Sequence, residues 1–157
     1  MSKSTEEKIS KCVDIAKCLK KHKETGRSFH CTFIYEKSKL LCIGFNNYNK
    51  LHRSTKFGIY LGYKDNPEKY IASMHSEIDA LIRSGYSNCS KLTFINVRID
   101  NNNQVNIAKP CRNCFNVLKQ YNFKKIYYTI DEFNYGCIFS KSNNEQNDKK
   151  IGILSAK

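Results

Sequence analysis

No apolar run in this chain approaches the ~20 residues needed to cross a bilayer as a helix. The stretch from Met1 to Lys11 is polar and charged, without the apolar core of a secretory signal. There is no internal repeat and no sign of a second domain. Acidic residues are scarce: 14 Asp and Glu stand against 27 Lys and Arg, a formal net charge of +13. These absences leave one expectation: a single soluble domain spanning 1–157, with a core over about 5–140 and a polar tail over 141–157. The expected location is the cytoplasm or a similar reducing space, with no membrane partner.

With 157 residues, the chain can bury roughly 68–70% of its unfolded surface and needs no covalent staples. The positive excess favours anionic partners, among them nucleotides and nucleic acid, although solubility alone explains it as well. Eight cysteines are many for an intracellular chain. Cys111 and Cys114 form a C-x-x-C pair. Cys12, Cys18, Cys31, Cys42, Cys89 and Cys137 lie mostly among apolar neighbours, where a thiol packs as a small hydrophobe.

Ile9, Cys12, Val13, Ala16 and Leu19 recur at helical spacing and predict an amphipathic helix over Thr5 to Lys23. Phe29 to Tyr35 and Leu40 to Phe45 read as a hairpin. A long segment from Asn46 to Tyr70 mixes turn residues, cations such as Arg53 and Lys56, and five aromatics. A loop of that length inside a compact domain is usually functional or holds a short helix. Met74, Ile78, Leu81 and Ile82 mark a second helix ended by Gly85, and Leu92 to Ile99 a buried strand. Asp100 to Asn106 reads as a polar turn. Pro110 is expected to open a third helix, followed by a strand over Ile126 to Ile130. Only Asp131 to Gly136 separate that strand from Cys137 to Phe139, too few residues for a parallel crossover, so the two should pair antiparallel. Ile151 to Leu154 could add a short strand or simply pack down.

The chemistry concentrates in His75-Ser76-Glu77 and Pro110-Cys111-Arg112-Asn113-Cys114. Zinc takes imidazole nitrogen and thiolate sulfur, and three protein ligands leave the open position of a catalytic site. Residues i and i+3 share one side of a helix, and thiolates are favoured at a helix N-terminus. His75, Cys111 and Cys114 are therefore the candidate ligands of Zn²⁺. Glu77 is the candidate proton carrier. Residues i and i+2 lie ~200° apart on a helix, so His75 and Glu77 can serve one site only if a metal is approached end-on. A structural zinc site would want a fourth Cys or His, and none is obvious from spacing. A redox dithiol would leave His75 and Glu77 unexplained.

The pattern H-x-E…P-C-x-x-C is the known signature of the zinc deaminases. From about Ser10 to Phe139 the chain resembles the cytidine and deoxycytidylate deaminase superfamily, and Met74 to Leu81 with Ala108 to Cys111 looks closest to members from phages and large DNA viruses. The resemblance implies an α/β fold, a three-layer α/β/α sandwich with a mixed five-stranded sheet. It implies hydrolytic deamination of cytosine to uracil with release of ammonia, Glu77 carrying the protons. Gly44-Phe45-Asn46 is similar to the family's Gly-aromatic-Asn element, which places Asn46 against the substrate. Ser76 stands where the family usually has Ala, and is expected to border the substrate. Arg53, Lys56 and Arg112 are candidate contacts for a phosphate. The antiparallel final hairpin is similar to the free-nucleoside deaminases, whereas the long segment before His75 looks more like the deoxycytidylate type. The expected substrate is thus a small-molecule nucleotide or nucleoside. The alternatives are cytosine or adenine in single-stranded nucleic acid, with basic and aromatic residues holding the strand, and a non-catalytic zinc-stabilised binding protein. A homo-oligomer is expected from the resemblance.

Overall fold

The computed structural model describes residues 3–22, 27–47, 74–140 and 149–153. Among them are three helices, α1 (Lys3–Lys21), α2 (Ser76–Ser84) and α3 (Arg112–Gln120). Seven strands accompany them: β1 (Phe29–Glu36), β2 (Lys39–Phe45), β3 (Leu92–Ile99), β4 (Val105–Asn106), β5 (Lys125–Thr129), β6 (Asn134–Phe139) and β7 (Lys149–Ile153). None of these helices is long and apolar enough to cross a membrane.

The sheet runs β2-β1-β3-β5-β6-β7, with the two-residue β4 attached to β3. All pairings are antiparallel except β3 with β5. The expected hairpins β1–β2 and β5–β6 are both present. The expected count of five strands is corrected by two additions. β7 pairs with β6, from Asn134 against Ile153 to Cys137 against Lys149, and β4 lies inside what reads as a polar turn. Strand pairing is made by backbone N–H and C=O groups, so Lys149, Lys150 and Asn106 join the sheet without an apolar signature.

β1 and β3 are rich in apolar residues at successive positions because both faces are covered. Alternate residues serve alternate faces. Phe33, Tyr35, Ile95, Val97 and Tyr127 pack with Ile9, Cys12, Val13 and Ala16 of α1. Ile34, Phe94, Ile126 and Tyr128 pack with Ile78 and Leu81 of α2 and with Val117 and Leu118 of α3. Four of the six cysteines outside the C-x-x-C pair are buried as expected; Cys42 is half-buried, and Cys18 is exposed on α1. No disulfide joins any of them.

Candidate active site

The start of α2 is held down by two contacts with β2. Gly44 lies directly beneath it: a Cβ there would fall 2.2 Å from Ala80 N and 2.4 Å from Ser76 O. Only a glycine permits so close an approach. Asp79 then reaches back, its Oδ2 accepting from Phe45 N–H at 2.9 Å and from Arg83 Nε at 2.6 Å. Asn47 and Met74 exchange two backbone hydrogen bonds of 2.9 Å just before the helix. His75 consequently occupies the N-cap in extended geometry, φ −82° and ψ 148°, and Glu77 the first turn. This is the end-on arrangement that lets residues i and i+2 face one point.

The second half differs from expectation in one respect. Pro110 does not open α3; the helix begins at Arg112, and Cys111 is its N-cap with φ −65° and ψ 160°. Its sulfur accepts from Cys114 N–H at 3.5 Å, the role a Ser or Asp oxygen fills at other helix starts. Fixing Cys111 as the cap leaves Cys114 in the first turn and turns both sulfurs toward His75.

His75 Nδ1 lies 3.5 Å from Cys111 Sγ and 3.4 Å from Cys114 Sγ. The three donor atoms lie within 4.8 Å of one another. Zinc bound tetrahedrally, with Zn–S near 2.3 Å and Zn–N near 2.0–2.1 Å, separates such atoms by about 3.6 Å. The donor set and its spacing therefore fit zinc. In the metal-free chain the protons are unevenly shared. Hydrogen bonds accepted from Cys114 first, and then from His75, hold the Cys111 thiol down at about 3. The same contact with Cys111 raises His75 to about 9. Cys114, donating to Cys111 and fully buried, is pushed far up.

Glu77 is buried beside the trio, and its burial raises the carboxyl above its usual range while His75 pulls the other way. Each oxygen has a donor. Ser76 Oγ gives a hydrogen bond to Oε2 at 3.3 Å, and Asn96 Nδ2 gives one to Oε1 at 3.1 Å. Thr32 Oγ1 lies 2.9 Å from Ser76 Oγ and 3.0 Å from Asn96 Oδ1. Thr32 and Asn96 were not among the residues singled out from the sequence. Each is a polar residue flanked by apolar ones in a mostly apolar strand, and only the sheet brings them to Glu77.

A cavity of about 240 Å³ opens over the trio, walled by His30, Asn46, Met74, His75, Ser76, Glu77, Lys109 and Cys111. It lies just below the usual ~300–1,000 Å³ of small-molecule sites. Asn46 is in this wall, but its amide is already engaged with the start of β1: Oδ1 accepts from His30 N–H at 2.9 Å, and Nδ2 donates to Ser28 O at 3.2 Å. One lone pair and one N–H remain for a ligand. His30, also missed in the sequence, faces the same space; burial first, then the positive Arg98, lowers its pKa to about 4 and leaves it neutral at pH 7. Arg112 is exposed and is not part of this wall. Arg53 and Lys56 lie outside the described residues. No protein-family model matches the chain, and no curated protein matches it.

Proposed function

We propose that this protein is a zinc-dependent hydrolytic deaminase that converts the cytosine of a free nucleoside or nucleotide to uracil and ammonia. One observation carries the reading: a His/Cys/Cys donor set of zinc-like spacing, two of whose members line a cavity, lies beside a buried carboxylate in the same wall that accepts from Ser76 and Asn96. A purely structural metal site has no need of Glu77. The antiparallel β5–β6 hairpin favours a small substrate, since that topology is similar to the free-nucleoside deaminases.

His75, Cys111 and Cys114 would hold the zinc, which supplies Lewis acidity and brings the pKa of a water to about 7. Glu77 accepts the proton of the attacking water, delivers it to the ring nitrogen, and then assists departure of the amino group. Ser76 and Asn96 each give one hydrogen bond to the carboxylate, which lies in the cavity wall where the proton would move. Asn46 orients the base or sugar through the N–H and lone pair its backbone contacts leave unused. His30 offers a neutral imidazole to the same substrate. Arg53 and Lys56 are proposed to meet a phosphate, and Ser76 borders the ring. The active form is proposed to be a homo-oligomer, which sedimentation velocity would establish.

The test is ammonia release by zinc-loaded protein from cytidine, deoxycytidine, their mono- and triphosphates, and a cytosine-bearing single strand. Activity on a small substrate is expected, falling about 10²–10⁴-fold in Glu77→Ala. Activity on the strand alone would move the substrate to nucleic acid, in keeping with the +13 charge. Silence on every substrate would remove deamination of cytosine.

A further inference from the structure

Six polar side chains are buried among the described residues, and four of them, Thr32, Ser76, Glu77 and Asn96, form one connected cluster. Buried polar groups are costly unless satisfied, so their concentration at one point calls for a reason beyond stability. Thr32 and Asn96 are direct cross-strand partners in the β1–β3 ladder. The sheet therefore fixes their separation before α2 docks. Asn96 is the hub. One N–H of its amide is aimed at Glu77 Oε1, and the amide nitrogen also lies 3.4 Å from Ala108 O, on the segment that leads into Cys111. Its carbonyl faces the Thr32 hydroxyl. Thr32 donating to Asn96 Oδ1 leaves the amide nitrogen facing the two acceptors on the other side, Glu77 Oε1 and Ala108 O.

We propose that Asn96 is the positioning residue for Glu77. It locks the carboxylate rotamer and ties it to the segment that leads into Cys111, so that the two halves of the site keep one geometry. The Thr32 hydroxyl holds the amide in the productive orientation. Ser76, which departs from the Ala usual in the resembling family, is the member of this cluster that secures the second oxygen. The inference rests on Glu77 as the proton carrier of the proposed reaction, but the hydrogen bond itself exists or not independently of any substrate.

The experiment pairs kinetics with NMR of the zinc-loaded protein. Asn96→Leu keeps the shape and removes both donors. It should retain one zinc per chain and lower kcat roughly 10- to 100-fold, with KM changed less than about threefold. In a Glu77→Gln background the same substitution should cost nothing further, because a residue that acts through another loses its effect when that partner is gone. The side-chain amide signals of Asn96 should be protected from exchange, and should move on Glu77→Gln. Thr32→Val, a near-isosteric change, should give a smaller loss of kcat with KM unchanged, and serves in place of Asn96→Leu if the latter does not fold. Amide signals that exchange freely and ignore Glu77→Gln would overturn the proposal. So would a loss confined to zinc content or to KM. A wild-type protein that is inactive but shows the Asn96–Glu77 coupling would defeat the deaminase reading alone; an active one without the coupling would defeat this one alone.

Discussion

His30 contributes a pH dependence of its own to folding. In the unfolded chain its imidazole titrates near 6.5, and in the native protein at about 4. The native state therefore binds fewer protons than the unfolded state between these values. Its neutral form is accommodated at full stability above pH 6.5, stability is lost as pH falls toward 4, and no more is lost through this group below that. Each unit of difference is worth about 1.4 kcal/mol. Wild-type protein should lose stability relative to His30→Gln across this window, read as urea midpoints at successive pH values. Parallel curves for the two proteins would show that His30 is not held neutral. The same residue faces the cavity, so its substitution should also raise KM. Thr32 and Asn96 have the opposite legibility problem: a single Thr or Asn in FHCTFIYE or LTFINVRI carries no signal until the register places them opposite each other.

Among the elements, α2 is the one whose placement decides the site, and Gly44 decides α2. A methyl at Gly44 would strike backbone of Ala80 and Ser76 at 2.2–2.6 Å, and backbone cannot swing aside as a long side chain can. Gly44→Ala should cost the 1–3 kcal/mol typical of overpacking, or more, and lower Tm by about 3–10 °C in a domain of this size. Because the displaced helix carries His75 and Glu77, kcat should fall as well. A variant with wild-type melting and activity would show that α2 does not rest on β2 in this way. Helix starts are where sequence reading was least exact. The apolar periodicity located the three helices found among the described residues, but Pro110 precedes α3 instead of opening it, since Cys111 takes the cap with its own sulfur.

For the whole molecule, the metal trio joins α2 to the segment before α3, two parts of the chain more than thirty residues apart. A bound ion would cross-link them. At free zinc 100-fold above its dissociation constant, binding adds about 2.7 kcal/mol to stability, which corresponds to roughly 5–11 °C in Tm for a domain of this size. Chelation should remove that increment, and Cys114→Ser should melt like the chelated protein and hold less than one zinc per chain. Melting that ignores both chelator and substitution would remove the metal from the molecule.

By itself, the sequence determined the helices, the two hairpins, the antiparallel close of the sheet and the residues of the trio. These follow from local periodicity, loop length and ligand chemistry, all of which are properties of neighbours along the chain. It left open whether Ile151 to Leu154 forms a strand, which the pairing of β7 with β6 answers, and it did not reveal β4, because strand pairing is made by backbone groups that carry no side-chain signature. Nor did it reveal the ring of donors around Glu77. Tertiary structure decided that, because the hydrogen bonds from Asn96 and Thr32 depend on strand register and on how closely α2 can approach Gly44, and both are set only when the sheet and helix pack together.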